Sequence, residues 1–231
     1  MNRKALIHVV LLSATAAWAE SPYAFRQRLE EVHVRDRRDT ALSAAADEFS
    51  FTDGCRVPDA DFADYLKTSM NVDASVGESE AVRVEIVSGL RDREYAIDVD
   101  ARGVRISAKD ERAMHQAFYH LEDLMNLRKA PFLKFGHERR RMRFSPRMLH
   151  SGWGVDVFPD GYLARMAHYG FDAILVFVTG IGRTQGEGAR ADIPGLIRRA
   201  RAHGLDTYLY TKIRAFVHPD DPAAAETFAG P

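Results

Sequence analysis

Four side chains in one short stretch carry the clearest chemistry in this sequence: Arg147, His150, Trp153 and Asp156. The planar guanidinium of Arg147 presents a fork of donors that suits adjacent hydroxyl oxygens. Trp153 offers a flat face on which a sugar ring can stack, and His150 and Asp156 can bond hydroxyls. Each residue also has a plainer reading: an arginine paired with a nearby carboxylate, a buried tryptophan, and a solvated or capping histidine and aspartate in a loop.

Other motifs offer less. The glycine-containing run from Gly180 to Gly188 lacks the lysine and hydroxyl ending of a phosphate cradle and reads as a βα loop. His115 and His120 share a helix, but their spacing sends them to diverging faces, and no glutamate completes a zinc-protease motif. His218-Pro219-Asp220-Asp221-Pro222 reads as a turn and helix start. No metal and no cofactor are expected. Arg139-Arg140-Arg141 has no interleaved aromatics, so a solvated face is expected there and nucleic acid is not an expected partner.

The elements that must position these residues are legible from periodicity. Val82, Val84 and Ile86, then Tyr95, Ile97 and Val99, then Val104, Ile106 and Ala108 alternate with other residues as half-buried strands. Asp100-Ala101-Arg102-Gly103 makes the last two a hairpin. Asp110 caps a helix whose apolar stripe is Met114, Ala117, Phe118, Leu121, Leu124 and Met125. From Arg143 onward the pattern becomes strand, helix, strand, helix, strand. One helix is expected from Pro159 to Gly170, with Tyr162, Leu163, Met166 and Ala167 buried. A second is expected from about Pro194 to Gly204, with Asp192 as cap and Leu196, Ile197 and Ala200 inward. The apolar run from Phe171 to Val178 is typical of a parallel strand covered on both faces. Tyr169-Gly170-Phe171-Asp172 and His203-Gly204-Leu205-Asp206 recur 34 residues apart, a plausible period for one β/α unit of a barrel.

The 231 residues, 46% hydrophobic and 28% charged with a net charge of -1, suit one or two globular domains and point to no polyanionic partner. Arg3 and Lys4, the apolar run Ala5 to Leu12, and Ala17-Trp18-Ala19 form the three parts of a secretory signal, with cleavage expected after Ala19. The mature protein is expected to be exported, to the periplasm or outside the cell, and no stretch reaches the roughly 20 apolar residues of a membrane span. Cys55 is the only cysteine, so no intrachain disulfide forms. The expected organisation is a signal peptide over 1–19, an α+β domain over 20–130 with a helix packed on its sheet, a linker over 131–142, and an α/β region over 143–231. That last region is far shorter than the roughly 250 residues of a complete (β/α)8 barrel and supplies about three β/α units of one.

Arg143-Phe144-Ser145-Pro146-Arg147, followed by Met148 to Phe158 and Pro159, resembles the first barrel strand and loop of glycoside hydrolase family 20, the β-N-acetylhexosaminidases. The module with Tyr95 to Ala108 and the following helix is similar to the small α+β domain that precedes the barrel in that family. The resemblance implies that Arg147 corresponds to the arginine that holds sugar hydroxyls. It also implies an exported hydrolase of O-glycosyl bonds in oligosaccharides or glycans, with carbohydrate as the partner. Several positions depart from the family: Gly152 stands for its first-strand aspartate, Val155-Asp156 for an arginine-histidine pair, Phe177 for a histidine, and Gly180-Ile181 for an acidic pair. They mark a divergent branch.

In that family the substrate's own acetamido group attacks, while an aspartate-glutamate pair after the fourth strand orients it and supplies the acid. No such dipeptide occurs from Arg143 onward; Asp47-Glu48 and Asp110-Glu111 lie in the first module. The catalytic carboxylates are therefore expected beyond Pro231, and this chain alone is expected to be inactive. The alternative is a noncatalytic carbohydrate-binding or interaction module.

Overall fold

The computed structural model describes residues 23–26, 47–79, 81–150, 158–177 and 192–210. The signal segment, Trp153, Asp156, the 180–188 loop and the 218–222 cluster lie outside the described residues. Among the described residues, no helix is long and apolar enough to cross a membrane.

The first part holds a four-stranded sheet, two two-stranded sheets and two helices that pack on each other. Short strands β1 (Glu48–Ser50) and β2 (Cys55–Val57) precede helix α1 (Ala60–Thr68), and β3 (Ala74–Val76) pairs in parallel with β2. Asp59 caps α1 by accepting the Phe62 N–H at 2.9 Å, and Phe62, Tyr65 and Leu66 are driven inward by their apolar spacing. The main sheet holds β4 (Val82–Ile86), β5 (Glu94–Asp100), β6 (Gly103–Ala108) and β8 (Gly136–Arg141) in the order β4-β6-β5-β8. The expected hairpin forms: Asp100 pairs with Gly103, and the Asp100 carboxylate accepts the Arg102 N–H at 2.7 Å. Gly103 has φ 139°, and a side chain there would run into the Ala81 carbonyl.

Helix α2 (Glu111–Arg128) starts as expected, with the Asp110 carboxylate accepting the Ala113 N–H at 2.9 Å. Its face of Ala113, Ala117, Phe118, Leu121 and Met125 is buried on the sheet, with Ile97, Val104 and Ile106 beneath. Met114 and Leu124 of the expected stripe are only partly buried against that core.

The stretch expected to be a linker is built into the fold. Residues 132 to 134 form β7 (Phe132–Lys134), antiparallel to β1, and β8 adds to the edge of the main sheet beside β5. The reason is electrostatic: Arg139 donates two hydrogen bonds to Glu94 at 2.8 and 2.9 Å, and His137 sits 2.6 Å from Asp98. A charged edge strand also resists pairing with another chain.

The second part is a three-stranded parallel sheet, in the order β11-β10-β9, among the described residues. It holds β9 (Met148–His150), β10 (Ala173–Phe177) and β11 (Asp206–Tyr210), connected through α3 (Asp160–His168) and α4 (Ile193–Arg201). It is an open sheet, not a closed barrel. Leu163, Met166, Ala167, Leu196 and Ala200 of the helices pack on Ile174 and Val176, whereas Tyr162 and Ile197, expected inside, are each 40% exposed.

The 34-residue repeat has a physical basis. Both helices end in a glycine at positive φ, Gly170 at 83° and Gly204 at 73°. In each case the next residue's N–H reaches back into the helix, Phe171 to the Met166 carbonyl at 3.1 Å and Leu205 to the Ala200 carbonyl at 3.0 Å. The aspartate that follows then starts the strand by bonding the neighbour: Asp172 N–H donates to Arg147 O, and Asp206 N–H donates to Asp172 O.

Candidate functional site

Parallel strands gather their loops at one end, and α/β folds place ligands at the C-terminal ends of such strands. Register fixes what stands there. His150, Leu175 and Tyr208 are neighbours across the three strands, and Phe177 pairs with Tyr210 one row further on. Because side chains alternate, and Ile174 and Val176 face the helices, His150, Leu175, Tyr208 and Tyr210 share the opposite face. His150 is exposed, and Tyr208 and Tyr210 are 38% and 42% exposed. Two phenols and an imidazole on one face combine flat rings with hydroxyl-bonding groups, the composition that sugars need.

Of the residues expected from sequence, His150 stands at this end. Arg147 does not. It precedes β9 at the N-terminal end, where its backbone N–H donates to the Asp172 carboxylate and its carbonyl accepts the Asp172 N–H at 3.0 Å. Its guanidinium lies against Gly170 and donates to Gln116 of α2 at 3.3 Å. The expected grouping of Arg147 with His150 is corrected accordingly: the buried Asp172 carboxylate fixes the Arg147 backbone, and the side chain turns toward the first part of the molecule. Trp153 and Asp156 follow His150 in sequence, outside the described residues.

The N-terminal ends of the strands carry a different assembly. The Asp172 carboxylate, 1% exposed, accepts from Arg93 and, at 2.7 Å, from the Ser145 hydroxyl. Arg93 also reaches Asp206 at 3.2 Å, and Arg112 of α2 donates to the same carboxylate. The repeated Gly-x-Asp thus supplies two carboxylates to the arginines of the first part. Tyr119, on the α2 face away from the sheet, is buried in the second core, its hydroxyl donating to the His203 carbonyl at 3.1 Å.

Arg26 joins the same interface. Its guanidinium spans both oxygens of Glu122 at 3.0 and 3.1 Å, bonds Asp61, and lies over the Tyr65 ring. His168 of α3 completes the group, its Nε2 lying 3.2 Å from Glu122 and 3.4 Å from Asp61 while Nδ1–H donates to the Ala164 carbonyl at 2.7 Å. Asp61, Glu122 and His168 have the donor types of a metal site, but the cationic Arg26 already bonds both carboxylates. This group has no signal in the sequence, because Glu122 reads as a solvated position on an amphipathic helix.

Burial opposes charging His168, yet its hydrogen bonds to Asp61 and Glu122 outweigh that and raise its pKa to about 9. A raised value stabilises the fold fully below the unfolded pKa of about 6.5 and progressively less as pH rises through about 9, a loss of at most roughly 3 kcal/mol. Urea unfolding across pH 6 to 10 should show this decline in the parent chain and a flatter profile in His168→Gln. Superimposable profiles would show that His168 carries no such charge.

No protein-family profile matches the chain, and no characterised protein sequence matches it. Solved structures do. The chain is similar to Streptomyces plicatus N-acetyl-β-hexosaminidase in complex with Thio-NAglucal, with 16% identity and a TM-score of 0.56 over 73% of this chain and 43% of that one. It is similar to the β-N-acetylhexosaminidase of Bacteroides fragilis, with 12% identity and a TM-score of 0.51 over 79% and 44%. The glycoside hydrolase family 20 β-N-acetylhexosaminidase of Streptomyces coelicolor gives 16% identity and 0.51 over 70% and 42%. The fold is therefore that of part of these enzymes, and the chain spans less than half of their length.

Proposed function

We propose that this chain is the front portion of a divergent, hexosaminidase-like glycoside hydrolase, with the first three β/α units of a (β/α)8 barrel docked on its sheet domain. One observation carries this reading: a single superposition on each of these hexosaminidases covers 70% or more of the chain, more than either part alone contains. The longer protein acts on O-glycosyl bonds of oligosaccharides or glycans, and the leader-like segment sends it to the periplasm or outside the cell.

The sugar lies over the C-terminal ends of β9 to β11. Tyr208 and Tyr210 offer ring faces, His150 bonds a hydroxyl, and Trp153 and Asp156, which follow His150 in sequence, supply a stacking face and an acceptor. Glycoside hydrolysis also needs an acid to protonate the leaving oxygen and a nucleophile opposite it. Among the described residues the buried carboxylates Asp61, Glu94, Glu122 and Asp172 are all held by arginines away from this surface. None of these four is placed to protonate a leaving oxygen over β9 to β11.

Titration of the 231-residue chain with N-acetylglucosamine tests the surface. Weak saturable binding is expected, reduced about threefold to tenfold in Tyr208→Ala, the worth of one aromatic contact. No binding, or binding indifferent to Tyr208→Ala and His150→Ala, would remove this surface from the proposal. Tight oligosaccharide binding without hydrolysis by any longer form would favour a noncatalytic module.

A further inference from the structure

Among the described residues, one group brings three metal-ligand side chains together: Asp61 of α1, Glu122 of α2 and His168 of α3, each with an atom within 4.8 Å of the other two. His168 Nε2 lies 3.2 Å from the Glu122 carboxylate and 3.4 Å from that of Asp61. A tetrahedral zinc site, with bonds of about 2.0–2.1 Å, spaces neighbouring ligand atoms about 3.3 Å apart. The imidazole is also oriented as a metal-bound one is: Nδ1–H donates to the Ala164 carbonyl at 2.7 Å, which turns Nε2 to the two carboxylates.

Arg26 fills this space with an imperfect match. Its Nε and the Asp61 Oδ2 are both buried without a hydrogen-bond partner, and each group left unmade costs stability. Its Nη2 lies 3.3 Å from His168 Nε2, so two donors face each other when the imidazole is charged. Arg26 and a charged His168 bring two positive charges to these carboxylates, the charge of one divalent ion. Metal binding releases the Nε2 proton, so exchanging the arginine for the ion leaves the buried charge balanced. Access requires one side chain to withdraw. Arg26 extends from a turn in which its N–H donates to the Tyr23 carbonyl at 2.9 Å, and its guanidinium itself touches all three ligand groups.

We infer that Asp61, Glu122 and His168 form a site for a divalent transition-metal ion of the zinc type, and that Arg26 is a displaceable cation standing in the ion's place. Imidazole and carboxylate suit such ions, and three protein ligands leave the fourth position to water. The ion fastens α1 and α2 of the first part to α3 of the second, as the arginine does. The inference is independent of the glycosidase reading, since it uses none of the residues at the C-terminal ends of the strands.

Calorimetric titration with Zn²⁺ alone, on the 231-residue chain and on Arg26→Ala, tests it. Arg26→Ala is expected to bind one Zn²⁺ saturably, at least about tenfold more tightly than the parent chain, in which the guanidinium competes. Adding His168→Gln to Arg26→Ala should weaken that binding at least about tenfold, since one of three ligands is lost. Saturating Zn²⁺ should also raise the urea midpoint of Arg26→Ala, or restore a cooperative transition if the variant has none without the ion. Absence of saturable Zn²⁺ binding to Arg26→Ala overturns the inference, as do equal affinities in Arg26→Ala and the parent chain, or binding indifferent to His168→Gln. So does an Arg26→Ala chain that Zn²⁺ neither stabilises nor refolds.

Discussion

Replacing Arg26 with methionine should lower the unfolding free energy by about 3–5 kcal/mol, because it leaves two buried carboxylates without their main counter-charge. The Arg26 side chain is 3% exposed, and those of Asp61 and Glu122 are 8% and 5% exposed, so water cannot take its place. His168 alone cannot neutralise both acids. The group joins the segment before the first sheet to α1, α2 and α3, so its loss loosens both cores at once. Urea denaturation at pH 7 measures the change, and Arg26→Met with Glu122→Gln should recover part of it. A loss under about 1 kcal/mol would place Arg26 among ordinary surface ion pairs.

The second large effect is expected at the repeated aspartates, which should differ sharply. Asp172→Ala removes the acceptor for Arg93, the Ser145 hydroxyl and the Arg147 N–H at a site 1% exposed. With charged hydrogen bonds worth about 1.5–3 kcal/mol each, a loss of about 3–5 kcal/mol follows. Asp206 occupies the equivalent place in the next unit and also meets Arg93, but its side chain is 32% exposed. Asp206→Ala should cost about 1 kcal/mol or less. Equal effects at the two positions would mean that the interface is not organised around Asp172.

This division explains what could be read from sequence. Strands β4 to β6, the start of α2 and the units around α3 and α4 were legible because alternation, caps and glycine stops act locally. Strand β8 was not, because Arg139-Arg140-Arg141 gives no apolar alternation. Its pairing depends on Glu94, whose carboxyl Arg139 holds well below the usual carboxylate range. Helix α2 shows the same limit. Its apolar stripe identified one buried face, while Gln116, Tyr119 and Glu122 are buried where a second part of the chain packs on the other side, and His120 is buried against Tyr95 and Glu138 of the main sheet. Polar residues that are buried between units look solvated until both units are present.

The candidate site divides in the same way. His150 reads from sequence as a loop residue near the first barrel strand, and the structure makes it the last residue of β9. Tyr208 and Tyr210 carry no site signal in the sequence, since their shared face follows from the register with Leu175 and Phe177. Arg147 was displaced from that surface by the Asp172 carboxylate, a contact set by the parallel pairing of β9 with β10.

Hydrolysis of a nitrophenyl N-acetyl-β-glucosaminide by this chain, and by a polypeptide carrying any coding sequence found downstream of Pro231, decides whether the chain is part of a hexosaminidase-like hydrolase. Release of nitrophenol is expected from the extended form and none from the 231-residue chain, with activity abolished when either residue of a carboxylate pair after the fourth strand is changed to its amide. Hydrolysis by the 231-residue chain itself, or an extended form with no such pair and no glycosidase activity, would contradict it.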